Sequence, residues 1–160
     1  MARITFTGLS EYMEKIQRLG MNAEEIAGKA IYEAAGILAN EVKSGINGLD
    51  AEGDGNVTAD ETERRKKQKD GLKDGFGIAV IRNDNGFINV LVGFGGYNDV
   101  RTPKFKNGQP NQMVARIFNS GTSHNRKQPF FDNAVKLSRK RVQLKMKEIF
   151  ENEIENIMRE

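Results

Sequence analysis

The chain has 160 residues, 38% of them hydrophobic and 29% charged, which is enough for one domain, 1–160, with a continuous hydrophobic core and a strongly solvated surface. It has no cysteine, which excludes a disulfide framework, a thiol nucleophile and a thiolate metal site, and its net charge of +3 is too small to mark a nucleic-acid binder by itself. No apolar run reaches membrane-spanning length and "MARITFTGLSEYMEK" lacks the apolar stretch of a signal peptide, so the expectation is synthesis in the cytoplasm and no membrane partner.

In chain order, residues 3–9, "RITFTGL", read as a short strand or extended lead. Ser10 is placed to cap a helix through about Leu19, with Tyr12, Ile16 and Leu19 on one face and Gly20 as its stop. A second helix is predicted over 23–46. Asn22 and Glu25 form a capping-box pattern, Met21 and Ile26 fit a hydrophobic staple, and Ala27, Ala30, Ile31, Ala34, Ile37, Leu38 and Val42 make an Ala-rich apolar stripe. Residues 47–71 carry almost no apolar side chain and read as a polar loop, with at most a helical turn or two in its middle.

"FGIAVI" and "GFINVLVGF" have strand composition, and Asn85-Gly86 between them is a hairpin turn signal, so a hairpin is predicted over about 76–94. Ile88, Val90, Val92 and Phe94 alternate toward one face. Residues 95–112 return to loop. "MVARIFNSG" fits a short helix or an extended segment that Gly121 ends. A last helix is predicted over about 130–158, with Pro129 at its first position, Asp132 in its first turn and a stripe from Phe131 to Met158. About 28 helical residues span roughly 42 Å, against a radius of gyration of roughly 15 Å for a globule of this length. The fold class expected is α+β, with a small antiparallel hairpin packed on a long Ala-rich helix and a long C-terminal helix.

Three constellations bear on chemistry. His124 is the only imidazole, and it sits in the polar turn of "NSGTSHNRKQPFF", where an exposed loop histidine outweighs a catalytic or zinc-binding one. The glycines of "GFGGYN" and "DGFGIAV" complete neither GxGxxG nor GxxxxGK[ST], so no nucleotide cofactor is expected. "DAEGDGNVTADE" places Asp50, Asp54, Gly55 and Glu61 at calcium-loop positions, but Glu52 is atypical and the polar stretch after it offers no apolar face for an exiting helix. A plain acidic loop stands ahead of calcium binding there, and no catalytic, cofactor or metal residues are assigned.

Along the last helix Lys136, Arg139, Lys140, Arg141, Lys145 and Lys147 precede Glu148, Glu151, Glu153, Glu155 and Glu160. Such segregation fits a solvated face, a contact between copies of the chain with positive patch to negative patch, or non-specific contact with DNA. Arg126, Lys127, Arg139, Arg141, Glu151 and Glu155 are the interface candidates. Gly121, Pro129, Phe130 and Phe131 are the candidates for a structural joint, since each buried phenylalanine ring is worth roughly 1.5–3 kcal/mol.

The order "FTGLSEYMEKIQRL", Ala-rich helix, "QKDGLKDGFGI", "NDNGFINVLVGFGGYN", "VARIFNSGTS" and "QPFFDNAV" resembles the tail-completion, or neck, family of long-tailed bacteriophages, the gene-product-ten-like group often described as a tail component. The resemblance covers roughly residues 5–140. Its most specific part is Gly121-Thr122, a variable basic loop over 123–128, and Pro129-Phe130 before a helix. Where many members carry a glutamate this chain has Asn119 and Ser120, and the acidic loop at 49–61 looks like an insertion. The resemblance implies a structural virion protein, not an enzyme. Its place would be the siphovirus head–tail joint, as a hexameric or dodecameric ring between the head connector and the tail tube. Its implied partners are itself, head-closure or connector proteins, and tail-terminator or tail-tube proteins, with DNA passing in the channel. The alternatives are a tail-terminator-like component or a small calcium- or nucleic-acid-binding module.

Overall fold

The computed structural model describes residues 9–52 and 57–159. The protein is α+β. Helix α1 spans Leu9–Asn47, α2 Ala59–Gly75, α3 Asn111–Ser120 and α4 Phe130–Arg159, with short strands β1 Phe76–Ile78, β2 Arg82–Asp84, β3 Phe87–Asn89 and β4 Val92–Phe94 between α2 and α3. Of the lead predicted at 3–9, residues 3–8 lie outside the described residues, and Leu9 belongs to α1 instead.

The break expected at Gly20 is absent: α1 runs 39 residues without interruption, roughly 58 Å. The Asn22 capping box therefore caps nothing, and Met21, assigned to a staple, is exposed. A glycine inside a helix costs only about 1 kcal/mol relative to alanine. Packing against a second long helix outweighs that cost. α4 runs antiparallel beside α1, as three ties show: Arg141 pairs with Glu41, Lys29 with Glu153, and Lys15 Nζ donates to the Met158 carbonyl at 2.6 Å. The α1 seam is built from Ile26, Ala30, Ala34, Val42 and Ile46, all buried, and the alanines let the helices approach closely.

The polar loop expected over 47–71 is a second correction, because α2 occupies 59–75. It has almost no apolar face, so hydrophobic periodicity does not reveal it. Its signals are local instead. Thr58 is the N-cap and its hydroxyl accepts the Glu61 N–H at 3.3 Å, with Asp60 and Glu61 in the first turn. Glu61–Arg65 and Glu63–Lys67 are spaced i,i+4. At its C-terminal end Gly71 and Gly75 let the helix touch a buried polar knot. A Cβ on Gly71 would lie 2.3 Å from Asn98 Cβ, and one on Gly75 2.3 Å from Asn111 Nδ2.

The hairpin expected over 76–94 forms around Asn85-Gly86, whose φ values of 55° and 90° are those of a tight two-residue turn. It is two ladders rather than one. β1 pairs with β4 (Phe76 opposite Phe94) and β2 with β3 (Arg82 opposite Asn89), and between them 79–81 face 90–91. This is a β-bulge with one extra residue, and bulges sharpen the twist. The base of the ribbon enters the core while Ile81, in the bulge, reaches α1, with Cδ1 3.4 Å from where a Gly28 Cβ would lie.

The core sits at one end of the molecule. Ala39, Val42 and Ile46 of α1, Leu72 of α2, Phe76 of β1, Val114, Ala115 and Phe118 of α3, and Phe130 and Ala134 of α4 belong to one cluster. Phe94 is its aromatic hub, with ring centroids 5.2 Å from Phe76, 6.0 Å from Phe130 and 6.3 Å from Phe131.

Candidate functional site

The segment between α3 and α4 is a braced turn. α3, the helical choice of the two open for 113–121, starts two residues earlier, inside the expected loop, and ends at Gly121, whose φ of 75° suits glycine and whose N–H donates to the Ile117 carbonyl at 2.9 Å. A side chain there would also meet Lys127, whose Cβ and N lie 3.0 Å from the Cβ position. The Thr122 hydroxyl accepts from the N–H groups of His124 and Asn125 at 3.3 and 3.1 Å, closing 122–125 into a tight turn. His124 is exposed on that turn, as its polar setting predicts.

Two amide side chains then fix the turn at its far side. Gln128 donates its N–H to the Phe118 carbonyl at 2.8 Å, and its side chain clasps the Asp50 backbone, accepting from the N–H at 2.7 Å and donating to the carbonyl at 3.1 Å. Asn119, in the last turn of α3, accepts from the N–H groups of Phe131 and Asp132 at 3.1 and 3.2 Å. It thus caps α4 from a neighbouring helix and satisfies two of the four donors that a helix start leaves free. Pro129 precedes the first helical residue rather than occupying it, and its carbonyl accepts from the Asn133 N–H at 2.9 Å. Phe130 is buried and packs against α1 at Gly45, while Phe131 is half-buried. Sequence reasoning picks out Gly121, Pro129 and the two phenylalanines, and misses Asn119 and Gln128, because their partners lie 12 and 78 residues away.

Arg126 and Lys127 are exposed on the outside of this turn. Arg139 is exposed one face around α4 and has no ion pair among the described residues, whereas Arg141 is engaged by Glu41. Glu151 and Glu155 pair within α4, with Lys147 at 3.5 Å and Arg159 at 3.2 Å. The structure thus brings Arg126 and Lys127 together, and spreads the other four candidates along α4. Lys29, whose ammonium is hydrogen-bonded to Glu153, is held above the ordinary lysine pKa by that bond and that charge.

The acidic loop is only partly described, since Asp54 and Gly55 lie outside the described residues. Asp50 and Glu61 flank it: the Asp50 backbone is held by Gln128, and Glu61 sits in the first turn of α2 facing Arg64 and Arg65 at 3.2 Å. A helix does follow the loop, contrary to expectation, but apart from Leu72 near its end it offers no large apolar side chain. Among the described residues no three His, Asp or Glu side chains converge on a possible metal position. A wide cleft of about 830 Å³ separates the start of α2 from the 122–125 turn, with Asp60, Arg64 and His124 on its walls. No helix among the described residues is long and apolar enough to cross a membrane. No family model matches the chain, and neither the curated proteins nor the solved structures searched gave a match.

Proposed function

We propose that this chain is a structural virion protein of the phage head–tail connection, made in the bacterial cytoplasm and assembled as a hexameric or dodecameric ring between the head connector and the tail tube. One observation carries the reading. The Gly-Thr, basic loop and Pro-Phe series that bears the family resemblance is built as a rigid turn, braced at α3, at Asp50 and at the start of α4, with its cations turned outward. A turn so held costs little further order when a neighbour docks on it, which favours contact through Arg126 and Lys127. The basic first half of α4 continues the same charge.

Loss of the gene tests the assignment directly. Electron microscopy of lysates lacking the protein should show filled heads and separate tails. Intact joined particles would sink the reading. In complementation, Arg126→Glu with Lys127→Glu should leave the melting temperature nearly unchanged and lower the yield of infectious particles by about tenfold or more, as expected for charge reversal at an interface.

A further inference from the structure

Charge on α4 is divided by pairing as well as by sign. Among the described residues the acids of its second half are all engaged: Glu148 by Lys145 at 2.9 Å, Glu151 by Lys147 at 3.5 Å, Glu155 by Arg159 at 3.2 Å, and Glu153 by Lys29. Arg141 is taken by Glu41. Lys136, Arg139 and Lys140 are exposed and make no ion pair among the described residues. The acid before them on the helix, Asp132, stands in the first turn, where the helix dipole favours it.

At about 100° per residue the three cations fall opposite Ala134, Ser138 and Ile149, the buried side of α4. Gln143 and Lys147 continue that outward face, so from Lys136 to Lys147 it presents cations and an amide, and no acid, over roughly 17 Å. Lys136 and Lys140 are spaced i,i+4, a like-charge pair that weakens a helix unless something neutralises it.

A contact between copies, basic half to acidic half, loses its acidic side here, because those carboxylates already have partners. The stripe calls instead for dense negative charge from outside the chain. A duplex backbone supplies it, with one phosphate for about every 1.7 Å of axis. Between Asp132 and Glu148 the helix carries no aromatic side chain, hence no platform for unpaired bases, which favours duplex over single strand.

We propose that the outward face of α4, through Lys136, Arg139 and Lys140, binds the phosphate backbone of double-stranded DNA without reading its sequence. This goes beyond the neck reading and does not depend on it. Release of counterions from the duplex drives the contact. Lys147 extends it, because its exposed pair with Glu151 is weak enough for a phosphate to displace.

Titration of the full-length protein with a fluorescent duplex of mixed sequence, at 50 and 200 mM salt, tests this. Three phosphate contacts contribute a slope of about −2.7 to log affinity against log salt. Wild-type affinity should therefore fall about fortyfold more across that range than affinity of the Lys136→Gln, Arg139→Gln, Lys140→Gln variant. That variant should melt no lower than the wild type, since it relieves repulsion. A second variant, Arg82→Gln with Lys104→Gln and Lys106→Gln, removes the same charge from other exposed positions and should keep the wild-type slope. Equal slopes for the wild type and the α4 variant, equal losses in the two variants, or tighter binding to a single strand of the same length would overturn the proposal. So would α4 substitutions that alter sedimentation of the protein alone and leave duplex binding unchanged. Heads and tails that stay separate without the gene would still support the neck assignment in each of those cases, so the two readings fail separately.

Discussion

The two ends of the α1–α4 pair are held by different physics. At one end α2, the ribbon base and α3 close over the helices, and Phe76, Phe94, Phe130 and Phe131 stack into one aromatic group. At the other end, among the described residues, the first half of α1 and the last half of α4 meet each other and the tip of the ribbon. Their seam is narrow, with Ile26, Ala30 and Ile149 buried and Ile16, Met21 and Ile154 exposed. The aromatic end buries large side chains against several elements, while the distal end relies on small residues and on exposed ion pairs that solvent and salt screen. Cooperative stability should reside at the first end and local opening at the second.

The sharpest way to break the contrast is at the aromatic end. Phe130→Ala should cost about 3–5 kcal/mol, a fall in melting temperature of roughly 10 °C or more in calorimetry. A change of under a few degrees would mean that the cluster is not where stability lies. Gly71→Ala comes next: the new Cβ overlaps Asn98 Cβ, and the clash should cost about 1–3 kcal/mol in denaturant unfolding. Asn119→Ala removes the shared cap of α4 and should cost about 1 kcal/mol, with faster amide exchange at Phe131 and Asp132. The smallest effect belongs to the distal end. A Cβ at Gly20 meets nothing within 4 Å, so Gly20→Ala should slow exchange through the first half of α1 by an amount worth about 0.5–1 kcal/mol and scarcely move the global melt. A large rise in melting temperature there would show that the two ends unfold as one.

What could be read in the sequence follows the range of the interactions responsible. α4, the Asn85-Gly86 turn and the Gly121 stop are set by neighbours within a few positions, and each is visible in the chain. Gly20 misleads because its local cost is overruled by a helix over 110 positions away in sequence. α2 is missed for the opposite reason: its stripe is polar, and the Thr58–Glu61 cap inside an acidic stretch is easily taken for loop chemistry. Asn98 and Asn111, buried beside the α2 glycines, carry no signal until the elements meet. At the candidate site the anchors are legible and the clasps are not, since Asn119 and Gln128 act on partners that only the fold brings near.

The extra residue between Ile78 and Arg82 sets an angle. A flat ribbon leaving the core would project straight past α1, with both faces of its tip in water. The sharpened twist swings the tip down onto the α1 backbone, where Gly28 offers a seat for Ile81 and Asn83 reaches Glu24 at 3.0 Å. The ribbon is therefore a strut joining the stable end to the less stable one. Shortening it by one residue at Val80 would change its bearing rather than its length, and would take from the distal helices the brace that the ribbon tip gives them.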